Sequence, residues 1–180
     1  MNIISKTILK NGENLILRQP TSEDAKDMIE YLNIVGGESN NLLFGEGEFN
    51  LTVEQEISHI ENISKNPNIL MIIGLIDNKI VSIAQISSFG RKRISHNSEI
   101  AISVKKEYWN IGIGRFVMDS LINFAKNHNT IKNISLGVKA SNHNAIKLYE
   151  KCGFQKVGIH KDFFNINGEF DDEIIMDLYI

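Results

Sequence analysis

Two stretches of this 180-residue chain combine residue types that bind anions and move protons. The first runs Glu99-Ile100-Ala101-Ile102-Ser103-Val104, then Tyr108-Trp109-Asn110-Ile111-Gly112-Ile113-Gly114-Arg115. A strand-like alternation leads into a loop, and two glycines open a helix. Helix starts leave backbone N–H groups unpaired and carry partial positive charge. Glycine lets backbone approach a ligand closely. Together these make an anion site, most often for phosphate. The loop is not a Walker motif, and Val117 stands where a dinucleotide fingerprint needs its third glycine. A glycine-containing helix entry that binds nothing fits the local pattern as well.

The second stretch is Ala140-Ser141-Asn142-His143-Asn144-Ala145-Ile146-Lys147-Leu148-Tyr149-Glu150-Lys151-Cys152-Gly153-Phe154. Asn142 is an N-cap residue type. Tyr149 follows seven residues later, on nearly the same helix face and about 10 Å along the axis. A ligand lying along that helix would touch both. The plainer alternative is a capping asparagine and an amphipathic core tyrosine.

The elements that must position these residues alternate along the whole chain. Asn14 to Gln19 reads as a strand that Pro20 stops, and Thr21-Ser22-Glu23-Asp24 opens a helix with capping-box spacing. That helix carries Ala25, Met28, Ile29 and Leu32 inward, and Gly36-Gly37 is expected to end it. Thr52 and Gln55 start a second helix, closed by Pro67. Ile69 to Ile76, Lys79 to Ser88 and Ile94 to Val104 are strand-like, with Asp77-Asn78 as a tight turn. Gly112 to Asn127 is a periodic helix, Ile134 to Val138 a strand and Asn142 to Lys151 a helix. Phe154 to Ile159 and Glu173 to Leu178 close the order βααβββαβαββ. This predicts a single mixed α/β domain over residues 1–180, an antiparallel meander followed by a βαβ-like unit.

Composition narrows the field. The net charge of -3 removes the electrostatic case for nucleic-acid binding. No apolar run reaches the roughly 18–20 residues of a membrane helix, and no signal-peptide core is visible at the start. One cysteine excludes an internal disulfide and fits a reducing, cytoplasmic compartment. His59, His96, His128, His143 and His160 are scattered, so no metal site is expected. The chain has 30 isoleucines and 21 asparagines against 6 alanines, so an asparagine counts only in context.

The two stretches, in this order and spacing, resemble the Gcn5-related N-acetyltransferase (GNAT) family. The likeness spans roughly residues 14 to 180 and implies a mixed sheet with splayed central strands. The family's pyrophosphate loop usually reads Arg or Gln, two variable residues, Gly, any residue, then Gly or Ala. Here it is Trp109-Asn110-Ile111-Gly112-Ile113-Gly114, with Trp109 the departure. The pattern Asn-x-x-Ala-x-x-x-Tyr-x-x-x-Gly-Phe is met by Asn142, Ala145, Tyr149, Gly153 and Phe154.

The resemblance implies acetyl-CoA as donor, a primary amine as acceptor and no metal. The donor strand around Ile102, Ser103 and Val104 would pair with the pantetheine arm, beside the splayed strand Ile134 to Val138. The pyrophosphate would rest on N–H groups from Trp109 through Arg115, to which the Arg115 side chain could add a charge-assisted contact, with Asn142 and Ala145 at the pantetheine. Tyr149 matches the family's general acid. An amine with pKa near 10.4 is protonated at neutral pH and needs a base; Glu99 is the candidate, with a water relay as the alternative. Acceptor choice is expected from Glu38 to Phe49, where Phe44 and Glu46 would touch substrate, and from the acidic segment around Asn165 to Asp172. The acceptor would be a small-molecule amine, polyamine or protein N-terminus. A non-catalytic acyl-CoA-binding module or another acyl group are the competing readings, and homodimers are common in the family.

Overall fold

The computed structural model describes residues 2–180. Eight strands form one sheet: β1 (Ile3–Ile8), β2 (Asn14–Arg18), β3 (Ile69–Ile76), β4 (Lys79–Ser88), β5 (Asn97–Val104), β6 (Asn133–Lys139), β7 (Gln155–Ile166) and β8 (Glu169–Tyr179). Their order is β1-β2-β3-β4-β5-β6-β8-β7. Every neighbouring pair is antiparallel except β5 and β6. Four helices cover it: α1 (Ala25–Glu38), α2 (Val53–Ser64), α3 (Ile113–Asn127) and α4 (His143–Lys151).

Side-chain alternation divides the core between the two faces. Met28, Tyr31 and Val35 of α1 and Ile60 and Ile63 of α2 pack on Met71, Ile73 and Leu75 of β3. On the other face, Val117, Leu121 and Ala125 of α3 and Ile146 and Tyr149 of α4 meet Ile72, Ile100, Ile134, Leu136 and Val138. β3 carries core residues on both faces and is buried along nearly its whole length, which is why it reads as a continuous apolar run.

The structure alters the expected elements at four places. β1 was not expected: it is an edge strand with Ile3, Ile4 and Ile8 exposed, so burial imposes no clean alternation on it. The strand expected from Ile94 starts at Asn97, because the Ile94 N–H donates to the Arg91 carbonyl in a turn instead. α1 continues through Gly36 and Gly37 to Glu38. Gly36 is there for close approach: a Cβ would lie 2.6 Å from the Gly45 carbonyl oxygen. The last two strands extend much further than Ile159 and Glu173, into a long hairpin turning at Asn167-Gly168, with a bulge between His160 and Phe164. Asp77 and Asn78 both have positive φ (48° and 61°), as a two-residue hairpin turn requires.

The expected capping box has a second role. Asp24 accepts from the Thr21 N–H (2.7 Å) and hydroxyl (3.0 Å) above a short 3₁₀ turn, and also takes both forks of Arg18 at 2.7 and 2.6 Å. Burial pushes the Asp24 carboxyl up, but the hydrogen bonds from Arg18 and Thr21 outweigh it and hold it below the usual range. Removing one partner leaves a buried charge. Asp24→Asn should therefore cost about 3 kcal/mol, read as a lower urea midpoint. The wild-type contribution is complete above the unfolded carboxyl's pKa of about 3.9 and is lost as pH falls below it toward the depressed folded value.

Candidate active site

β5 and β6 pair over only three positions, Asn97–Asn133, Ser98–Ile134 and Glu99–Ser135. Beyond Glu99 they part, while β4 still holds β5 as far as Val104 and β8 holds β6 as far as Lys139. A cavity of about 1160 Å³ opens at this gap.

The exposed edge of β5 follows from its register. Lys105 donates to the Val81 carbonyl (2.9 Å), so odd-numbered residues of β5 turn their backbone groups to β4. Ile102 and Val104 turn theirs to the edge that β6 has left. The expected pairing surface is present, with one change. The Trp109 indole donates to the Val104 carbonyl at 2.7 Å, so that acceptor is already engaged. Trp109 braces the strand end to the loop, a role that a motif position alone does not disclose. Ser103 turns its side chain to the other face, where its hydroxyl meets the Tyr31 hydroxyl at 3.1 Å. Tyr31 is buried, which pushes its phenol pKa up.

The glycine loop has the conformation of an anion cradle. Asn110 (φ 65°) and Gly112 (φ 110°) are left-handed, and Gly112 caps α3. Such alternation turns successive N–H groups inward. The N–H groups of Trp109 and Arg115 are taken by the Lys106 and Gly112 carbonyls, so the free set is narrower than expected: Asn110, Ile111, Gly112, Ile113 and Gly114. A Cβ on Gly114 would lie 2.9 Å from Leu148, so this glycine seats α3 against α4. Arg115 lines the cavity, but its guanidinium is held by Asp119 (2.9 Å) and the Lys151 carbonyl (2.9 Å). The side-chain phosphate contact expected of it competes with these bonds.

On α4, the Asn142 side chain accepts from the Ala145 N–H (3.3 Å) and caps the helix, leaving its amide N–H₂ at the cavity. Tyr149 lines the same cavity, packs on Phe154 with ring centroids 6.1 Å apart, and is 8% exposed. Burial pushes its pKa up to about 12, so the phenol is protonated throughout the neutral range. Cys152 is a half-buried thiol whose pKa burial also raises, consistent with packing rather than reactivity.

The opposite side of the gap is acidic. Glu99, Ala101 and Ser103 of β5 share a face with Gln85 and Ser87 of β4, and Glu38 and Glu173 join them on the wall. Glu99 is exposed, with no side-chain partner among the described residues. Glu38 accepts from the Lys106 N–H at 2.7 Å. The loop after α1 contributes Ser39, Asn41, Leu42 and Leu43 to the wall. Phe44 and Glu46, expected to touch substrate, lie off it: Phe44 packs on Phe49 (5.9 Å) over the α1 core, and Glu46 lies against Gly37. Strand alternation does not extend into an irregular loop, so the sequence could not choose among its side chains.

Comparison with known proteins agrees with this geometry. The model of the acetyltransferase (GNAT) family matches residues 40–154. The L-amino acid N-acetyltransferase of Escherichia coli (strain K12) is 31% identical over 116 residues, covering 64% of this chain and 72% of that protein. The putative ribosomal-protein bS18 alanine N-acetyltransferase of Bacillus subtilis is 37% identical over 75 residues, 42% of this chain and 48% of its own. Among solved structures, a GNAT-family acetyltransferase from Streptococcus pneumoniae superposes with TM-score 0.89 at 27% identity, covering 92% of this chain and 99% of that one. A Salmonella typhimurium protein solved with acetyl-CoA shares the fold at TM-score 0.79 and 14% identity, over 92% and 93% of the two chains. The splayed strands, the glycine cradle and the matched family model together place this chain in the GNAT family of acetyltransferases.

Proposed function

We propose that this protein transfers an acetyl group from acetyl-CoA to a cationic primary amine, by direct attack while both substrates are bound. The observation that carries the reading is the polarity of one continuous cavity. At the α3–α4 end it has five free N–H groups, a helix start and the side chains of Lys147 and Lys151. Across the β5–β6 gap it has Glu38, Glu99 and Glu173. An anionic donor fits the first end and a cationic acceptor the second.

In this reading the pyrophosphate sits on Asn110 to Gly114, and the pantetheine amides pair with Ile102 and the Val104 N–H. The Asn142 amide group reaches the same arm. Acetyl-CoA supplies the activated acyl group; the chain's residues position it and manage protons. Tyr149 aims a protonated phenol at the departing sulfur. The amine loses its proton on the acidic face, where Glu99 projects. The acceptor is a small-molecule amine, a polyamine or a protein N-terminus, and a cytoplasmic setting fits the lone free thiol.

Two outcomes test this. Thiol release from acetyl-CoA, followed across polyamines, amino acids and N-terminal peptides, should show turnover with at least one cationic amine. Tyr149→Phe should then lower kcat by about 100-fold, the lower range for a lost general acid, with KM for acetyl-CoA little changed; an unchanged kcat rejects the assignment. Gly112→Val forces a branched side chain into φ 110° and should weaken acetyl-CoA binding by about tenfold or more in calorimetry, because the cradle N–H groups turn away.

A further inference from the structure

The acidic face holds a carboxylate more firmly placed than Glu99. Glu173 of β8 lies directly across from Lys139 of β6 on one side and from His160 of β7 on the other. Its side chain is 13% exposed, against 57% for His160. The His160 Nδ1 meets one carboxylate oxygen, Oε2, at 2.9 Å. Lys139 does not claim the other oxygen: its ammonium turns to Asp171 at 3.5 Å. Oε1 leans diagonally over Gly137, in the part of β6 that no longer pairs with β5.

Gly137 is what makes this seat. A Cβ there would fall into the carboxylate, 2.7 Å from its Cδ and in still closer collision with Oε1. A glycine inside a strand weakens it and commonly marks close approach by another group. Here the approaching group is the Glu173 carboxylate, one oxygen of which is held by His160. Both Gly137 and Glu173 line the cavity.

We propose that Glu173, seated over Gly137 and fixed by His160, is the carboxylate that takes the proton from the acceptor ammonium. The proposal rests on the acetyl-transfer reading above. His160 donates Nδ1–H to Oε2, the tautomer that the contact requires. The ammonium gives one proton to Oε1, and its nitrogen lone pair then bonds to the thioester carbonyl carbon. The C–S bond breaks with its electrons on sulfur. Sulfur receives the Tyr149 proton, and the nitrogen's second proton restores the phenol. Glu173 returns its proton to water beside the half-exposed His160. The sum is amide, free thiol and one released proton. Glu99, on the other arm of the gap, adds negative potential that draws the cation in. The groups facing Glu173 are His160, Lys139 and, through Lys139, Asp171.

The test uses the full chain, acetyl-CoA and the best amine from the panel. Glu173→Gln keeps the shape and the His160 contact, and should lower kcat by about 100-fold or more with the acetyl-CoA Kd within about twofold. Gly137→Ala, which displaces the carboxylate while leaving it in the chain, should produce a kcat loss of the same order. Glu173→Gln with kcat within about threefold of wild type, or a larger loss in Glu99→Gln, overturns the assignment while leaving acetyl transfer standing. A wild-type chain that binds acetyl-CoA and acetylates no amine overturns both.

Discussion

The separation of β5 from β6 is the constraint on which the rest of the site depends. A parallel pair would ordinarily bond along its length, and each strand here is held on its far side by an antiparallel partner. The closed end is pinned: the Ser98 hydroxyl donates to the Asn133 carbonyl (3.0 Å), and Lys132 and Asn133 both donate to the His96 carbonyl (2.8 and 3.1 Å). Past Glu99, among the described residues, the indole of Trp109 on the Val104 carbonyl is what takes the place of the ladder. Backbone groups left unpaired in a half-buried cleft are costly unless water or a ligand meets them. The fold therefore stores, at Ile102 and Val104, a demand for an extended partner with amides of its own.

In the proposed reaction the same gap would keep donor and acceptor from competing. Even-numbered residues of β5 and β6 face α3 and α4, and odd-numbered ones face the α1 side. The donor would lie along the helix-covered face with its anionic end at the cradle. The acceptor would meet Glu99, Ser103 and Glu173 from the opposite face, and the two would meet where no strand intervenes. The Tyr31 hydroxyl meets that of Ser103 from below, tying this part of β5 to α1.

Much of this was legible in the chain, and the reasons differ by residue. Gly112 and Asn142 announced themselves because cap and left-handed positions are local properties of the backbone. The helix periodicity placed Tyr149 on the cavity side. Glu99 was reachable by alternation along a strand. Trp109 was read as a departure from a pattern, because the acceptor of its indole, the Val104 carbonyl, depends on how the loop folds back. Arg115 was given to phosphate, although Asp119 one turn on was an ordinary i,i+4 partner for it. The loop after α1 and the bulged hairpin carry no period, so Leu42, Leu43 and the seat of Glu173 emerge only in three dimensions. Gly137 was a visible signal of close approach, and what approaches it comes from a strand 36 residues later.

In the proposed reaction the burial of Tyr149 governs how its proton would be used. Its pKa of about 12 keeps the phenol ready, but an alkyl thiol lies near 8.5, and complete transfer from phenol to thiolate is uphill by roughly 3.5 units, about 5 kcal/mol. The nitrogen offsets this gap in the proposed reaction: once bonded to the carbonyl carbon it carries a proton more acidic than that of the free ammonium, and delivering it to the phenol oxygen as the phenol gives up its own lowers the cost of the transfer. Tyr149 would then act in that reaction as a relay whose hydrogen bond strengthens as charge develops on sulfur. This requires the amine's first proton to have left earlier, toward the acidic face, because a nitrogen still fully protonated has no lone pair with which to attack. A firmly placed carboxylate on that face and a buried phenol on the other are thus two halves of one proton economy, kept apart by the gap in the sheet.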